Sequence, residues 1–278
     1  MGNRIDSHQH FWKFDPVRDS WIDETMAVIQ RDFLPEDLQP LLKENQFEGC
    51  VAVQANQSEE ETHFLIDLAS KNDFIKGVVG WIDLRSENVE ERLQFFSNQK
   101  KLKGFRHVVQ GEPDDFMFGK EFRRGIQALK TFDYTYDILI FERQLPAAIS
   151  LVKDFPNQRF VIDHIAKPDI KSGSINSWKK GIEEIAKFDN VWCKISGMVT
   201  EADWENWKPQ DLKPYLDVIF ENFSTDKLMY GSDWPVLNVA SDYKEVVKTL
   251  EDYISKFSIE DQNKIWFENA ISFYNLSD

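Results

Sequence analysis

The 278-residue chain predicts an α/β fold, a single-domain (β/α)8 barrel, on three observations. Eight short apolar runs alternate along the whole length with segments whose apolar residues recur at helical spacing. Nothing between them has linker composition, so residues 1–278 read as one domain, a size that barrels commonly reach as a single unit. The first apolar run ends in histidines, whereas an open doubly wound sheet usually carries a glycine-rich phosphate turn there.

The first strand is Arg4-Ile5-Asp6-Ser7-His8-Gln9-His10-Phe11. Side chains alternate faces along a strand, so Asp6, His8 and His10 are expected on one face, where two imidazoles can converge on a metal ion, a water or a substrate oxygen. A solvated strand end is the plainer reading of that run alone. An aromatic-bearing irregular stretch runs on to about Arg31, and loops of that length in compact domains are often functional. Pro35-Glu36-Asp37 suits a first helical turn, and Leu38, Leu41 and Leu42 continue a helix over 34–45. Gly49-Cys50-Val51-Ala52-Val53-Gln54 is a buried strand. Ser58 with Glu61 fits a capping box that opens a helix through Phe64, Leu65 and Leu68.

The rhythm continues with a strand over 77–83 and a helix over 88–97. A fourth strand covers 102–109, with a helix over 118–131, and a fifth covers 134–140, with a helix over 144–153. A sixth strand covers 159–165, followed by a helix near 178–187. Val191-Trp192-Cys193-Lys194-Ile195 is the seventh strand, with its helix at 212–223. The eighth strand covers 227–233, and two terminal helices occupy 242–257 and 259–274.

Composition narrows the function classes. Apolar residues make up 42% of the chain, enough for a sizeable core, and 33 Lys plus Arg against 48 Asp plus Glu leave a net charge of −15. Such a charge opposes non-specific binding to nucleic acid or to an anionic membrane, because both are polyanions. Cys50 and Cys193 both sit in apolar runs and read as buried thiols, not as a disulfide framework. The stretch after Met1 lacks an apolar run of the signal-peptide kind, and no segment is apolar over a membrane span, so the expectation is a cytoplasmic protein.

Active sites of such barrels lie at the C-terminal ends of the strands. His8 and His10 end strand one, Gln54 strand two, and Trp81 with Asp83 strand three. Arg106 and His107 lie late in strand four, His164 late in strand six with Lys167 opening its loop, and Asp233 ends strand eight. Four of the five histidines thus fall at one face, and His63, on a helix, reads as an ordinary surface or interface residue.

Three pieces carry a family resemblance: Asp-x-His-x-His on strand one, Asp163-His164-Ile165-Ala166-Lys167-Pro168, and Gly231-Ser232-Asp233-Trp234-Pro235. Together the chain resembles the amidohydrolase superfamily (amidohydrolase-2 type). More narrowly it resembles its lactonase branch, the group of L-fuconolactonase, L-rhamnonolactonase and pyrone-dicarboxylate lactonase proteins. His10-Phe11-Trp12 and Gly104-Phe105-Arg106-His107-Val108-Val109-Gln110 are similar to the sugar-lactonase members. The resemblance implies a hydrolase that opens a sugar lactone, a small-molecule substrate. Asp233 is then the general base on water, and His8, His10 and His164 are donors to the carbonyl oxygen or ligands of one divalent ion. As plainer alternatives, Asp233 stabilises a turn before Trp-Pro and His164 is a core histidine.

Adjacent in a strand, Arg106 and His107 face opposite ways unless a bulge intervenes. The resemblance nevertheless implies both near the substrate rim, while an acid in the barrel is the alternative partner for Arg106. Gln54, Trp12, Trp81 and Lys167 are the remaining substrate-binding candidates. Lys103 sits at the wrong end of strand four for a carboxylated bridging lysine, and strand five lacks a histidine, so a binuclear metal site is disfavoured. One zinc on His8, His10, His164 and Asp233 has an allowed ligand set, and a metal-independent route is equally open, because a lactone is an activated ester. Few cations sit at the strand ends, which favours a neutral polyhydroxylated lactone over a di- or tricarboxylate. Another hydrolase or a metal-dependent decarboxylase of the same fold, and a non-catalytic binding protein, are the rival readings.

Overall fold

The computed structural model describes residues 3–276. Its eight parallel strands are β1 (Ile5–Gln9), β2 (Gly49–Val53), β3 (Ile75–Gly80), β4 (Leu102–His107), β5 (Thr135–Ile138), β6 (Phe160–Ile162), β7 (Val191–Ile195) and β8 (Leu228–Tyr230), hydrogen-bonded in sequence order. The seam between β8 and β1 is closed by the Gly231-Ser232-Asp233-Trp234 run. The His10 N–H donates to the Trp234 carbonyl at 2.7 Å and the Asp233 N–H to the His8 carbonyl at 2.8 Å. The Ser7 hydroxyl donates to the Tyr230 carbonyl at 2.6 Å. The predicted barrel is therefore the observed one, and the residues that close it also carry Asp233.

Helices follow each strand: α1 (Pro35–Glu44), α2 (Glu59–Lys71), α3 (Val89–Phe96), α4 (Lys120–Thr131), α5 (Leu145–Asp154), α6 (Asn176–Ile185), α7 (Pro209–Asn222) and α8 (Tyr243–Ile254). The helix expected over 259–274 is divided into α9 (Ile259–Asn263), a π-helical turn (Lys264–Glu268) and α10 (Asn269–Tyr274). The capping box expected at Ser58 forms by half. Ser58 Oγ accepts the Glu61 N–H, but the Glu61 carboxylate reaches past Ser58 to the N–H groups of Ala55 and Asn56. That ties the β2–α2 loop down. Among the described residues no helix is long and apolar enough to cross a membrane.

Two apolar layers result from strand alternation. Outward-facing strand residues pack under the helices, while Ile5, Val51, Val53, Val79, Val161 and Met229 fill the barrel interior. α10 plugs the floor of that interior with Ala270, Phe273 and Tyr274. The phenol of Tyr274 donates at 2.7 Å to Oδ2 of Asp137, an inward residue of β5 with no solvent exposure. His63 sits exposed on α2 against Phe95 and Phe96, as an ordinary surface residue would.

Removing a donor from a buried carboxylate costs about 1–3 kcal/mol. Tyr274→Phe is expected to lower unfolding stability by that amount in a denaturant titration, with the rest of the floor intact.

Candidate active site

The site begins with a break in strand regularity. The β1–β2 register shifts between Asp6 and Gln9, and this corrects the expectation that Asp6 shares a face with the histidines. Asp6 turns toward the helices, where Oδ2 accepts from the Tyr243 hydroxyl at 2.9 Å and Oδ1 from the Ser232 N–H at 2.9 Å. His8 turns into the barrel and His10 rises to its rim.

Strands six and eight are shorter than predicted, for one backbone reason. His164, Ile165, Ala166 and Lys167 have φ of 52, 48, 62 and 46°, a complete left-handed turn, and Asp233 has φ of 62°. Left-handed non-glycine residues cost roughly 1–2 kcal/mol each, so the turn persists only because its surroundings hold it. Ser196 Oγ accepts the His164 N–H at 3.3 Å and lies 2.9 Å from Nδ1 of the same residue. The Trp178 indole N–H donates to the Ile165 carbonyl at 2.7 Å. The turn aims His164 at Asp233 and sets Lys167 beside the cavity.

Asp233 Oδ1 lies 3.3 Å from Nε2 of His10, 3.8 Å from Nε2 of His164 and 4.0 Å from Nε2 of His8. The His10 tautomer follows from its partner. His10 Nδ1 is 2.7 Å from the Val53 carbonyl, which can only accept, so Nδ1 carries the proton and Nε2 is bare. The Arg106 guanidinium lies 3.2 Å from His8 Nε2, and His8 Nδ1 lies 3.2 Å from both Asp163 Oδ1 and Lys194 Nζ. Burial, the largest influence, holds His8 well below 6.5 against the pull of Asp163, so the ring is neutral. Burial does the same to His164.

The Nε2 atoms of His8 and His10 lie 3.2 Å apart beside a carboxylate oxygen. Metal–ligand bonds of about 2.0–2.1 Å in a tetrahedron place donor atoms about 3.3 Å apart. The His8, His10 and Asp233 triad fits one divalent ion, and a second compatible triad is His8, Asp163 and His164. Burial pushes the Asp233 pKa up, but His164, His10 and Lys167 together outweigh it and hold the group below 3.8, ionised at neutral pH.

Beneath the histidines lies a buried charge cluster, of which sequence reasoning offered only an acid in the barrel as an alternative partner for Arg106. Lys194 Nζ is 2.5 Å from Asp137 Oδ2 and 3.0 Å from Asp163 Oδ1, and Arg106 Nη1 is 3.1 Å from Asp163 Oδ2. Burial pushes Asp163 up, yet Lys194, His8 and Arg106 hold it well below the usual carboxylate range. A charged residue inside each apolar strand run (Asp137, Asp163 and Lys194) was the available signal, because such residues are buried only when paired.

A cavity of about 290 Å3 opens above, at the small end of ligand pockets. His10, Arg106, His164, Lys167 and Asp233 line it as predicted, with Trp21, Asn56, Gln57, Gln110 and Leu139 as unpredicted neighbours. Arg106 and His107 face opposite ways. His107 leaves the cavity, its ring stacked on Phe116 and its Nε2 2.8 Å from Glu112, which corrects its expected place at the rim. Trp81 follows it, donating to His107 Nδ1 at 3.2 Å. Gln54 stands behind Arg106, with its backbone carbonyl and Oε1 both accepting from Nη2. Trp12 is buried outside the cavity lining, its indole N–H committed to the Arg31 carbonyl at 2.9 Å, which corrects its expected place against the substrate. Lys167 pairs with Glu201 at 2.9 Å.

Comparison with known proteins accords with this geometry. The amidohydrolase family model matches residues 5–276. The L-fucono-1,5-lactonase of Burkholderia multivorans is 38% identical over 99% of this chain and 97% of its own. That of Burkholderia ambifaria is 35% identical, with the same coverage. A crystal structure of a Burkholderia multivorans amidohydrolase with bound zinc superposes with a TM-score of 0.96 at 38% identity, covering 99% of this chain and all of the other.

Gly197, at φ of 60°, abuts the His164 ring, and a Cβ there would overlap Nδ1. Gly197→Ala is expected to displace His164 and to lower turnover at least about tenfold in a folded protein, as measured by steady-state rates beside a thermal melt.

Proposed function

The chain belongs to the amidohydrolase family, and we propose that it hydrolyses a neutral sugar lactone, of the L-fuconolactone or L-rhamnonolactone kind, to the aldonic acid. The observation that carries this reading is an ionised carboxylate, Asp233, facing three histidine nitrogens at the foot of a small cavity whose cations are already paired. Arg106 is engaged by Asp163 and Gln54, and Lys167 by Glu201. Neither is left to hold a substrate carboxylate, so a neutral ring fits better than a di- or tricarboxylate. The names of the relatives point to the same substrate class.

In the proposed mechanism the lactone carbonyl lies toward His8, His10 and His164. Asp233 removes a proton from the attacking water, and its depressed pKa keeps it in the base form at neutral pH. The carbonyl oxygen gains negative charge as the tetrahedral centre forms, and the His164 ring on the cavity wall is the nearby group able to meet it. The proton returns to the ring oxygen as the C–O bond breaks.

His8, His10 and Asp233, with His164 beside them, would hold one divalent ion, and the nitrogen-rich donor set suits zinc. When bound, such an ion polarises the carbonyl and acidifies water. The orienting contacts from Val53 to His10 and from Asp163 to His8 are those that fix imidazole ligands in metal sites. The proposed compartment is the cytoplasm, in keeping with two free, buried thiols, Cys50 and Cys193.

Asp233→Asn is expected to lower kcat by about 100- to 10,000-fold with the fold intact, read as proton release from fresh sugar lactones in weak buffer, corrected for spontaneous opening. Full activity in that variant would remove the base assignment. The lowered pKa of Asp233 sets the sign of the pH dependence. The base form is present above the usual carboxylate range and is lost only as pH falls through the depressed value. The Asp233-dependent rate is therefore expected to stay flat from about pH 6 to 8, and pH-stat assays that find an acid limb near neutrality would contradict it. Calorimetric titration of metal-stripped protein is expected to find one zinc equivalent, bound at least about tenfold more weakly by His10→Ala.

A further inference from the structure

Sugar hydroxyls must be read by polar groups other than the reacting ones, and the cavity wall offers one that is conspicuously unsatisfied. Gln110 lines the cavity, and its side-chain oxygen Oε1 is buried without a hydrogen-bond partner among the described residues. Its backbone is pinned on both sides: the N–H donates to the Leu139 carbonyl at 3.0 Å, and its carbonyl accepts from Arg143 at 3.2 Å. A buried amide oxygen without a donor is costly, and among the unpartnered buried oxygens of the described residues the Gln110 amide belongs to a residue that lines this cavity, where a ligand hydroxyl can supply the donor.

Trp21 supplies the complementary surface. It is the large aromatic of the cavity wall, 43% exposed, and stands edge-on to buried Trp12 at 5.9 Å. The loop beneath it is fixed by its own bonds. Asp15 Oδ1 accepts the Val17 and Arg18 N–H groups, Asp19 Oδ2 accepts the Asp15 N–H, and Gln30 Nε2 donates to the Ile22 carbonyl. An indole held open over a cavity by a tied loop is pre-organised to cover an apolar face.

We propose that Gln110 and Trp21 are the specificity-determining pair of this site. Gln110 Oε1 accepts a hydroxyl of the lactone ring, and the Trp21 indole covers the ring's C–H face. The inference rests on the sugar-lactone reading and names what makes the enzyme prefer a hydroxylated ring to a bare one.

The test compares kcat/KM for a six-carbon sugar lactone and for δ-valerolactone, which has a lactone ring and no hydroxyl groups. Wild type, Gln110→Leu and Trp21→Ala are measured side by side. Wild type is expected to favour the sugar lactone. Gln110→Leu is expected to shrink that preference about 5- to 100-fold, the effect of unpairing a buried hydrogen bond. Trp21→Ala is expected to shrink it too, mainly through a higher KM, and this half-exposed site keeps the test alive if Gln110→Leu fails to fold. Equal losses on both substrates would overturn the inference and leave the lactonase reading standing, as would a wild type without the preference. A folded wild type inert to both lactones would overturn the lactonase reading and this inference with it.

Discussion

The carboxylate of Asp163 is the contact on which the rest of the site depends. It sits with no solvent exposure between Lys194, Arg106 and Nδ1 of His8. Charges taken out of water are tolerated only when paired and hydrogen-bonded. Here Lys194 and Arg106 balance Asp137 and Asp163, so the cluster is neutral as a whole. Its geometric result is to fix the position of the His8 ring, which burial keeps neutral against the pull of Asp163. Through Asp137 and Tyr274 the same cluster reaches α10, so the floor of the barrel and the histidine at its mouth share one buried polar axis. Well-packed apolar residues would often stabilise such an interior as well or better. The ion cluster therefore makes most sense as the support of a reactive site.

Backbone strain is concentrated in the same place. The left-handed turn at His164–Lys167 and the left-handed Asp233 follow β6 and β8, on either side of β7, at the mouth of the barrel. Both carry groups that converge on one point, and both are braced from outside, by Ser196 and Trp178 in one case and by the β8–β1 seam in the other. Gly197 and Gly231 leave room where the His164 and His8 side chains approach the backbone. Side chains held by strain and by close packing have few alternative positions, which is the condition for a pre-organised reaction centre.

The eight strands and the helices between them could be read in the sequence because periodicity reports burial directly, and every strand here is buried on both faces. The meeting of His8, His10, His164 and Asp233 could be read too, because strand ends in a parallel barrel share one rim. Less visible were the points where regular alternation fails. The register shift in β1 turns Asp6 away from His8, and the left-handed turns shorten β6 and β8, neither of which leaves a period to detect. At Arg106 and His107 alternation held, and a family-based expectation that set it aside misplaced His107. Asp137, Asp163 and Lys194 were legible in principle, as charges inside apolar runs, but which charge meets which is a matter of barrel geometry. Trp21 and Gln110 lie on loops, where local sequence says little about orientation.

The cavity thus combines an ionised carboxylate, neighbouring imidazole nitrogens, paired cations and a wall of amides and apolar groups. Every one of these features suits water attacking the carbonyl carbon of a neutral cyclic ester. The most direct measurement is hydrolysis of a sugar lactone in water enriched in 18O, followed by mass spectrometry of the aldonic acid. Attack at the carbonyl carbon predicts one heavy oxygen in the carboxyl group and none in the hydroxyl released from the ring. Label in that hydroxyl, from cleavage on the alkyl side, or ring opening no faster than in buffer alone, would contradict the account.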